Sequence, residues 1–312
     1  MKILLISLTT IFIIFMMRCP KPPETVEKVV EKKLEVATPT VVPKLRTSKI
    51  FPKPWRDGIY PSKGKICKWV YFVRNGIRYP MCVHSHSDAV SNQIAGSGSW
   101  SDCNILSGLW KNTKGDGEYM EIGGNIGACV MEMLTQTDAK ITVFEPNPAN
   151  LFCMTSTLNR LPDVMSDRVT VYPYALGEKN EKSTIHAAHH NMGNSVVGQV
   201  IKDNVGQLFE EAVPIEVWRY DDVISKDIDV KLMKMDAQGF ECNIVRGMGN
   251  IVPSLIKTEI ADHWLSSIEG CSDKILFGEF HKRNMVVYTE NNRELKRPLS
   301  PGVYDVIVRS IS

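Results

Sequence analysis

From Gly117 onward short apolar runs alternate with helical segments, and one junction constrains the fold most. Glu118-Tyr119-Met120-Glu121-Ile122, a run of strand length, enters Gly123-Gly124-Asn125-Ile126-Gly127, after which Ala128 to Thr135 has helical character. Strand, glycine turn and helix in that order make the unit that cradles a nucleotide on the N–H groups of a helix start. The next apolar run, Lys140 to Phe144, ends in Glu145-Pro146-Asn147-Pro148, and a helix is expected over Asn150 to Leu161. This alternation predicts a parallel, doubly wound sheet. Glu145 falls about 20 residues beyond the turn, at the end of the second strand, where a carboxylate accepts both ribose hydroxyls of an adenosine.

The turn also selects among nucleotides. A dinucleotide fold wants G-x-G-x-x-G, whose middle glycine lets the backbone approach a pyrophosphate, and here Asn125 holds that place. A side chain there disfavours pyrophosphate and speaks against a dehydrogenase. It suits a ligand that offers an amino-acid moiety, S-adenosylmethionine, with Glu121 placed to meet its ammonium directly or through water.

Three segments in order carry a specific resemblance: Glu121-Ile122-Gly123-Gly124-Asn125-Ile126-Gly127; Phe144-Glu145-Pro146-Asn147-Pro148-Ala149-Asn150; and Lys234-Met235-Asp236-Ala237-Gln238-Gly239-Phe240-Glu241 with Arg246-Gly247 behind it. Tyr174-Ala175-Leu176-Gly177, Asn194-Ser195 and Tyr220-Asp221-Asp222-Val223-Ile224 fill the intervals. Over roughly residues 116 to 262 the chain resembles the FkbM family of S-adenosylmethionine-dependent methyltransferases. The resemblance implies a class I methyltransferase fold, a Rossmann-like doubly wound sheet closed by an antiparallel C-terminal strand pair. Met285 to Tyr288 and Tyr304 to Val308 read as that pair. It also implies that Glu121, Gly123, Asn125, Gly127, Glu145, Pro146, Asn147, Asn150, Ala175 and Leu176 contact the methyl donor. The family usually has Asp for Glu121, Ala for Gly124 and Val-Glu-Gly for Ala237-Gln238-Gly239. With Gln238 in that place, no acid–base work is assigned there.

An alcohol acceptor must lose a proton as it takes up a methyl group, which calls for a carboxylate or imidazole near the strand ends. Asp236, closing the run Val230 to Met235, is the first candidate. Glu241 is expected at the start of the next helix, where it binds acceptor or steadies the helix terminus. Glu259 ends the run from Leu255, and His263 follows Asp262 as the alternative base. For each, structural hydrogen bonding competes with catalysis. The long segment Gly177 to Pro214 reads as a surface loop or a lid. His189-His190 within it, and His84 with His86 earlier, are metal-ligand types without a third partner in register, so no metal site is assigned.

The first hundred residues carry a different signal. An uncharged run from Ile3 to Met17, ended by Arg18, reads as a membrane anchor or signal segment over 1–18. Residues 19–56 hold seven prolines and few large apolar residues, an extended stalk. Residues 57–115 form an ordered region of unassigned role, and 116–312 the methyltransferase domain. Lys68 to Val73 and Ile77 to Tyr79 flank Asn75-Gly76, a β-hairpin signal that brings Cys67 near Cys82. In an oxidising compartment these two form a disulfide, and in a reducing one they are buried thiols. The anchor and stalk point to a single-pass membrane protein of the secretory pathway, Golgi or endoplasmic reticulum, with a lumenal catalytic domain, secreted if the segment is cleaved.

With 37 Lys+Arg against 35 Asp+Glu, the net charge of +2 lacks the basic excess of a nucleic-acid binder. The family resemblance, taken with the anchor, implies an anchored O-methyltransferase acting on a hydroxyl-bearing acceptor, a sugar of a glycan or glycolipid. The alternative is a scaffold that keeps the fold without turnover.

Overall fold

The computed structural model describes residues 52–113, 116–188, 191–198, 212–296 and 301–311. The expected anchor, nearly all of the stalk, and His189-His190 lie outside the described residues. Among the described residues no helix is long and apolar enough to cross a membrane.

Asn75 and Gly76, both left-handed at φ 51° and 76°, turn the chain between strands β1 (Cys67–Arg74) and β2 (Ile77–His84). Such a turn matches the right-handed twist of the paired strands. Helix α1 (Ala89–Ser97), a 3-10 turn over Ser101–Cys103 and α2 (Leu106–Lys111) lead into the main sheet.

That sheet alternates as its sequence requires. Strand β3 (Glu118–Ile122) is followed by α3 (Ala128–Gln136), β4 (Lys140–Phe144) by α4 (Pro148–Leu158) and the short α5 (Asp163–Ser166), then β5 (Val169–Tyr172). After the segment described below come α6 (Tyr220–Val223), β10 (Val230–Met235), α7 (Glu241–Gly247), β11 (Leu255–Ala261), α8 (Asp262–Ser267), α9 (Asp273–His281), β12 (Met285–Thr289) and β13 (Val303–Ser310). The strand order is β5-β4-β3-β10-β11-β13-β12, with β13 antiparallel to both its neighbours and the other pairings parallel. This is an α/β architecture with a mixed central sheet, its parallel part flanked by the antiparallel C-terminal pair β12 and β13 expected from the sequence.

Alternating side chains divide the core between the two faces of the sheet. Tyr119, Ile141, Val143 and Leu232 face α3 and α4, and the same cluster takes in Phe72, Met81, Val83, Ile94 and Leu106. The hairpin and α1 therefore share a core with the sheet. Met120, Ile122, Phe144, Met233 and Met235 face the opposite side.

Disulfides join Cys67 to Cys82, Cys103 to Cys129 and Cys242 to Cys271, while Cys153 is a buried free thiol. The first joins diagonal neighbours of the hairpin, whose register sets Cys67 opposite His84 and Cys82 opposite Trp69. The second fastens the 3-10 turn to α3.

The segment after Gly177 corrects the expectation of a loop. It forms a second sheet from β6 (Ala175–Gly177), β7 (Glu181–His186), β8 (Val196–Val197) and β9 (Val213–Arg219), in the order β6-β9-β7-β8. Ile185, Val197, Ile215 and Val217 turn their apolar faces to the main core. The alternation Val213-x-Ile215-x-Val217 carried this signal, masked by Pro214 and the polar residues around it. The helix expected from Asn150 instead begins at Pro148, because Asn147 caps it by accepting the Ala149 N–H at 2.9 Å.

Candidate active site

At the carboxyl end of β3 the chain bends through Gly123, at φ 84°. A Cβ built there would stand 2.0 Å from the carbonyl oxygen of Asp236, so glycine is required by both conformation and space. Gly124 is constrained by space alone: a Cβ would meet Val143 Cγ2 at 2.3 Å, and a β-branched strand side chain has little freedom to yield. The alanine usual in the family at this place would need a smaller neighbour on β4. Asn125 is left-handed at φ 49°, and its Oδ1 accepts the Ile126 N–H at 2.8 Å, which holds the turn closed.

Glu145 fixes this turn to the next strand. Its two carboxylate oxygens accept the N–H groups of Asn125 and Asn147, each at 2.7 Å. Burial pushes the carboxyl up to about 7 against those bonds. Asn150 Nδ2 approaches the same carboxylate at 3.4 Å, and Asn150 Oδ1 lies 2.9 Å from His84 Nε2 at the end of β2.

A cavity opens above these residues, lined by Gly123, Asn125, Glu145, Pro146, Asn150, Tyr174, Ala175 and Leu176, with Asp236 and Gln238 at its far side. Met192, Gly193 and Ser195 close over it. Asp88 holds that cover, accepting the Met192 N–H at 2.9 Å with one oxygen while the other caps α1 through Ser91 N at 2.8 Å. Sequence reasoning missed Asp88 and Met192, weighed His84 only as a metal-ligand type, and met Tyr174 only as part of the family segment. Asp88 alone had a visible signal, as a capping residue before a helix.

A polar cleft adjoins the cavity through Gly123, Asn125, Gly193, Asp236 and Gln238, which line both. Its other walls include Trp100, Asp102, Glu121, Lys234, Glu259 and Asp305. Lys234 Nζ, deeply buried, is 2.9 Å from Asp236 Oδ2 and 3.6 Å from Asp102 Oδ2. Lys257 Nζ pairs with Asp102 and, at 2.6 Å, with Asp305. Burial works to raise the Asp102 carboxyl, and the two lysines overcome it and hold it below its usual value. Glu121, with no such direct pair, accepts the Tyr119 hydroxyl at 3.1 Å, and burial pushes it up to about 8.

The four candidate catalytic residues separate cleanly. Asp236 lines both spaces, but its oxygens are engaged by Lys234 and by Gln238 Nε2 at 2.6 Å. Glu241 is buried at the start of α7 and accepts the Ala237 N–H at 2.9 Å; it lines neither space. His263 is exposed on α8 beside Trp264, away from both. Glu259, at the end of β11, lines the cleft with no hydrogen-bond or ion-pair partner for its carboxylate among the described residues. Burial, then the charges of Asp236, Asp305 and Asp102, push it up to about 7. Of the expected donor contacts, Gly127 and Asn147 serve as helix caps and do not line the cavity.

A glycine turn at a strand end, a buried carboxylate on the next strand and a polar cleft at the fourth agree with one sequence family. The Methyltransferase FkbM domain matches residues 121–285, more than half of the chain. The chain belongs to the FkbM methyltransferase family. It is an S-adenosylmethionine-dependent methyltransferase. The cavity fits that cofactor: it presents a buried carboxylate suited to ribose hydroxyls, and it is lined by Tyr174, whose buried hydroxyl has no hydrogen-bond partner among the described residues.

Among solved structures, a transferase from Pyrococcus horikoshii is similar over 77% of this chain and 70% of its own, at 14% identity and a TM-score of 0.37. TYW2 of the same organism, in complex with MeSAdo, is similar over 77% and 69%, at 14% identity and 0.36. The mitomycin 7-O-methyltransferase MmcR is similar over 70% and 56%, at 13% identity and 0.37. Likenesses at these scores carry no argument, and membership of the family rests on the domain match. No curated protein matches the chain in sequence.

Proposed function

We propose that this FkbM methyltransferase is an O-methyltransferase that methylates a hydroxyl of a sugar in a glycan or glycolipid, with Glu259 as general base. The cofactor supplies an electrophilic methyl group on a sulfonium that leaves as a neutral thioether. Glu145, with Asn150 behind it, receives the ribose hydroxyls, while Tyr174, Ala175 and Leu176 flank the adenine. Gly123, Asn125 and Glu121 meet the amino-acid end. With the donor bound, the unpaired carboxylate of Glu259 would take the acceptor's proton as the hydroxyl oxygen accepts the methyl group and the neutral thioether departs. Asp236, tied to Lys234 and Gln238, contributes fixed charge and position.

One observation carries this reading: an unengaged carboxylate, raised to about 7, in the cleft continuous with the donor cavity. A base titrating near the working pH is the kind general base catalysis favours. Glu259→Gln is expected to lower kcat by roughly 10²–10⁴-fold and to leave donor affinity unchanged. In the parent, kcat is expected to rise with pH through about 7 as Glu259 loses its proton. Activity of the Gln variant within a few-fold of the parent would remove Glu259 from the mechanism.

The three disulfides support an oxidising compartment, and with the apolar run over 1–18 and the stalk over 19–56 they favour a lumenal domain of an anchored secretory-pathway protein. Protection of the full chain from added protease in intact microsomes tests that placement, and digestion without detergent would refute it.

A further inference from the structure

The cleft beside the donor cavity is built partly by residues that the family match does not reach. Trp100 and Asp102 come from the 3-10 turn that Cys103–Cys129 fastens to α3, and Asp305 comes from β13, beyond residue 285. Across the cleft stand Asp236, Glu259 and the amides of Asn191 and Asn194. The half-buried indole of Trp100 offers an apolar face among these acceptors.

Its charges are arranged with a consequence for any ligand. Among the described residues five carboxyls line the cleft, Asp102, Asp236 and Asp305 held in ion pairs and Glu121 and Glu259 raised by burial, against the one lining cation Lys234. Lys234 is paired with Asp236 and Asp102, and Lys257 beneath with Asp102 and Asp305. Among the described residues, an entering anion finds no cation lining the cleft that is not already held by a carboxylate. A hydroxyl finds the opposite, several oxygen acceptors at different angles. Like charges brought together across an interface disfavour binding.

We propose that this cleft is the acceptor subsite, that Trp100 and Asp102 form its recognition wall, and that it takes an uncharged sugar ring in preference to a phosphorylated or carboxylated one. The proposal rests on the reading of the adjoining cavity as the donor site and of the acceptor as a sugar. The C–H face of the ring lies on the Trp100 indole, its hydroxyls donate to Asp102, Asn194 and Asp305, and the reacting hydroxyl faces Glu259. The region ahead of the family domain thereby acquires a role in choosing the acceptor.

The test is binding, separate from turnover. The full chain, disulfides intact, is saturated with S-adenosylhomocysteine and titrated with methyl glucoside and methyl galactoside, and with their 6-phosphate and 6-carboxylate counterparts, followed by ligand-observed NMR. The neutral glycosides are expected to bind at least about tenfold more tightly than the charged ones, a difference of about 1.4 kcal/mol. Trp100→Ala should lose that binding while Trp100→Tyr recovers most of it, both keeping the parent's affinity for S-adenosylhomocysteine. Charged glycosides binding as well as neutral ones, or Trp100→Ala binding sugar like the parent, would overturn the inference and leave the methyl-transfer reading standing. If no glycoside of either kind binds while S-adenosylhomocysteine does, the sugar reading itself falls, and the inference with it.

Discussion

Glu259 and Asp305 stand opposite each other in the antiparallel register of β11 and β13, two carboxylates directly paired across neighbouring strands. Like charges so placed are destabilising, and the charge of Asp305 adds to burial in raising Glu259. Asp305→Asn removes that charge, so Glu259 should lose its proton at lower pH. The rising limb of the kcat profile is expected to move toward acid, with about twofold more activity at pH 6. An unmoved limb would mean that another group titrates.

His84 and Asn150 form a second such link, at 2.9 Å, between the hairpin and the carboxylate of the donor cavity. His84 fixes which way the Asn150 amide faces, and burial holds the imidazole below its ordinary value, so the neutral ring dominates at neutral pH. His84→Ala should weaken S-adenosylhomocysteine binding by about three- to tenfold, the worth of a typical hydrogen bond, with kcat little changed. Calorimetry on folded variant protein checks this, and an unchanged Kd would reduce His84 to a core residue.

Glu145 does more than its place in the sequence suggests. A carboxylate twenty residues past a glycine turn reads as a ribose ligand, and nothing in that reading implies a structural duty. Because its oxygens hold two backbone N–H groups, Glu145→Ala leaves both donors unpaired, at about 1–3 kcal/mol each. Loss of donor binding in that variant is therefore ambiguous. Glu145→Gln keeps an acceptor for one N–H and should fold with a smaller loss of stability while losing at least about tenfold in donor affinity. Parent-like affinity in Glu145→Gln would displace the ribose assignment.

What the sequence made legible was local. The turn from Ile122 to Gly127, the hairpin at Asn75-Gly76 and the runs Val230 to Met235 and Leu255 to Thr258 each follow from neighbours within a few positions. Trp100 and Asp102 were not legible, because what matters about Asp102 is Lys234 and Lys257, more than a hundred residues on, and only the folded sheet brings them together. Asp236 is legible as a strand-end carboxylate, while its engagement by Lys234 and Gln238 shows only in the fold. Glu259, a later candidate in sequence, is set apart from it by a carboxylate that the fold leaves unpaired among the described residues.

The disulfides give a stability prediction. Cys103–Cys129 and Cys242–Cys271 close segments with sequence separations of 26 and 29, and links of this size typically contribute about 2–4 kcal/mol. Denaturant titration of a Cys103→Ser, Cys129→Ser double variant should show that loss, together with weaker sugar binding through the displaced Trp100. A loss confined to stability would mean that the 3-10 turn holds its place without the link.

Four buried or half-buried carboxyls, Glu121, Glu145, Glu241 and Glu259, are raised to between about 7 and about 8, burial being the largest cause in each. Each binds its proton more tightly in the folded chain than in the unfolded one, whose carboxyls titrate near 4.5. The folded state therefore holds more protons between about pH 4.5 and 8, and linkage makes stability fall as pH rises through that window. His84, lowered by burial, works the other way below its ordinary value, but it is one group against four. The melting temperature of the cofactor-free chain is thus expected to decline from pH 5.5 to 8. Bound S-adenosylmethionine, whose ammonium would meet Glu121, should stabilise the chain more at pH 8 than at pH 6, because the ionised carboxylate then gains a partner. A thermal shift from the cofactor that is larger at pH 6 would place the ammonium elsewhere.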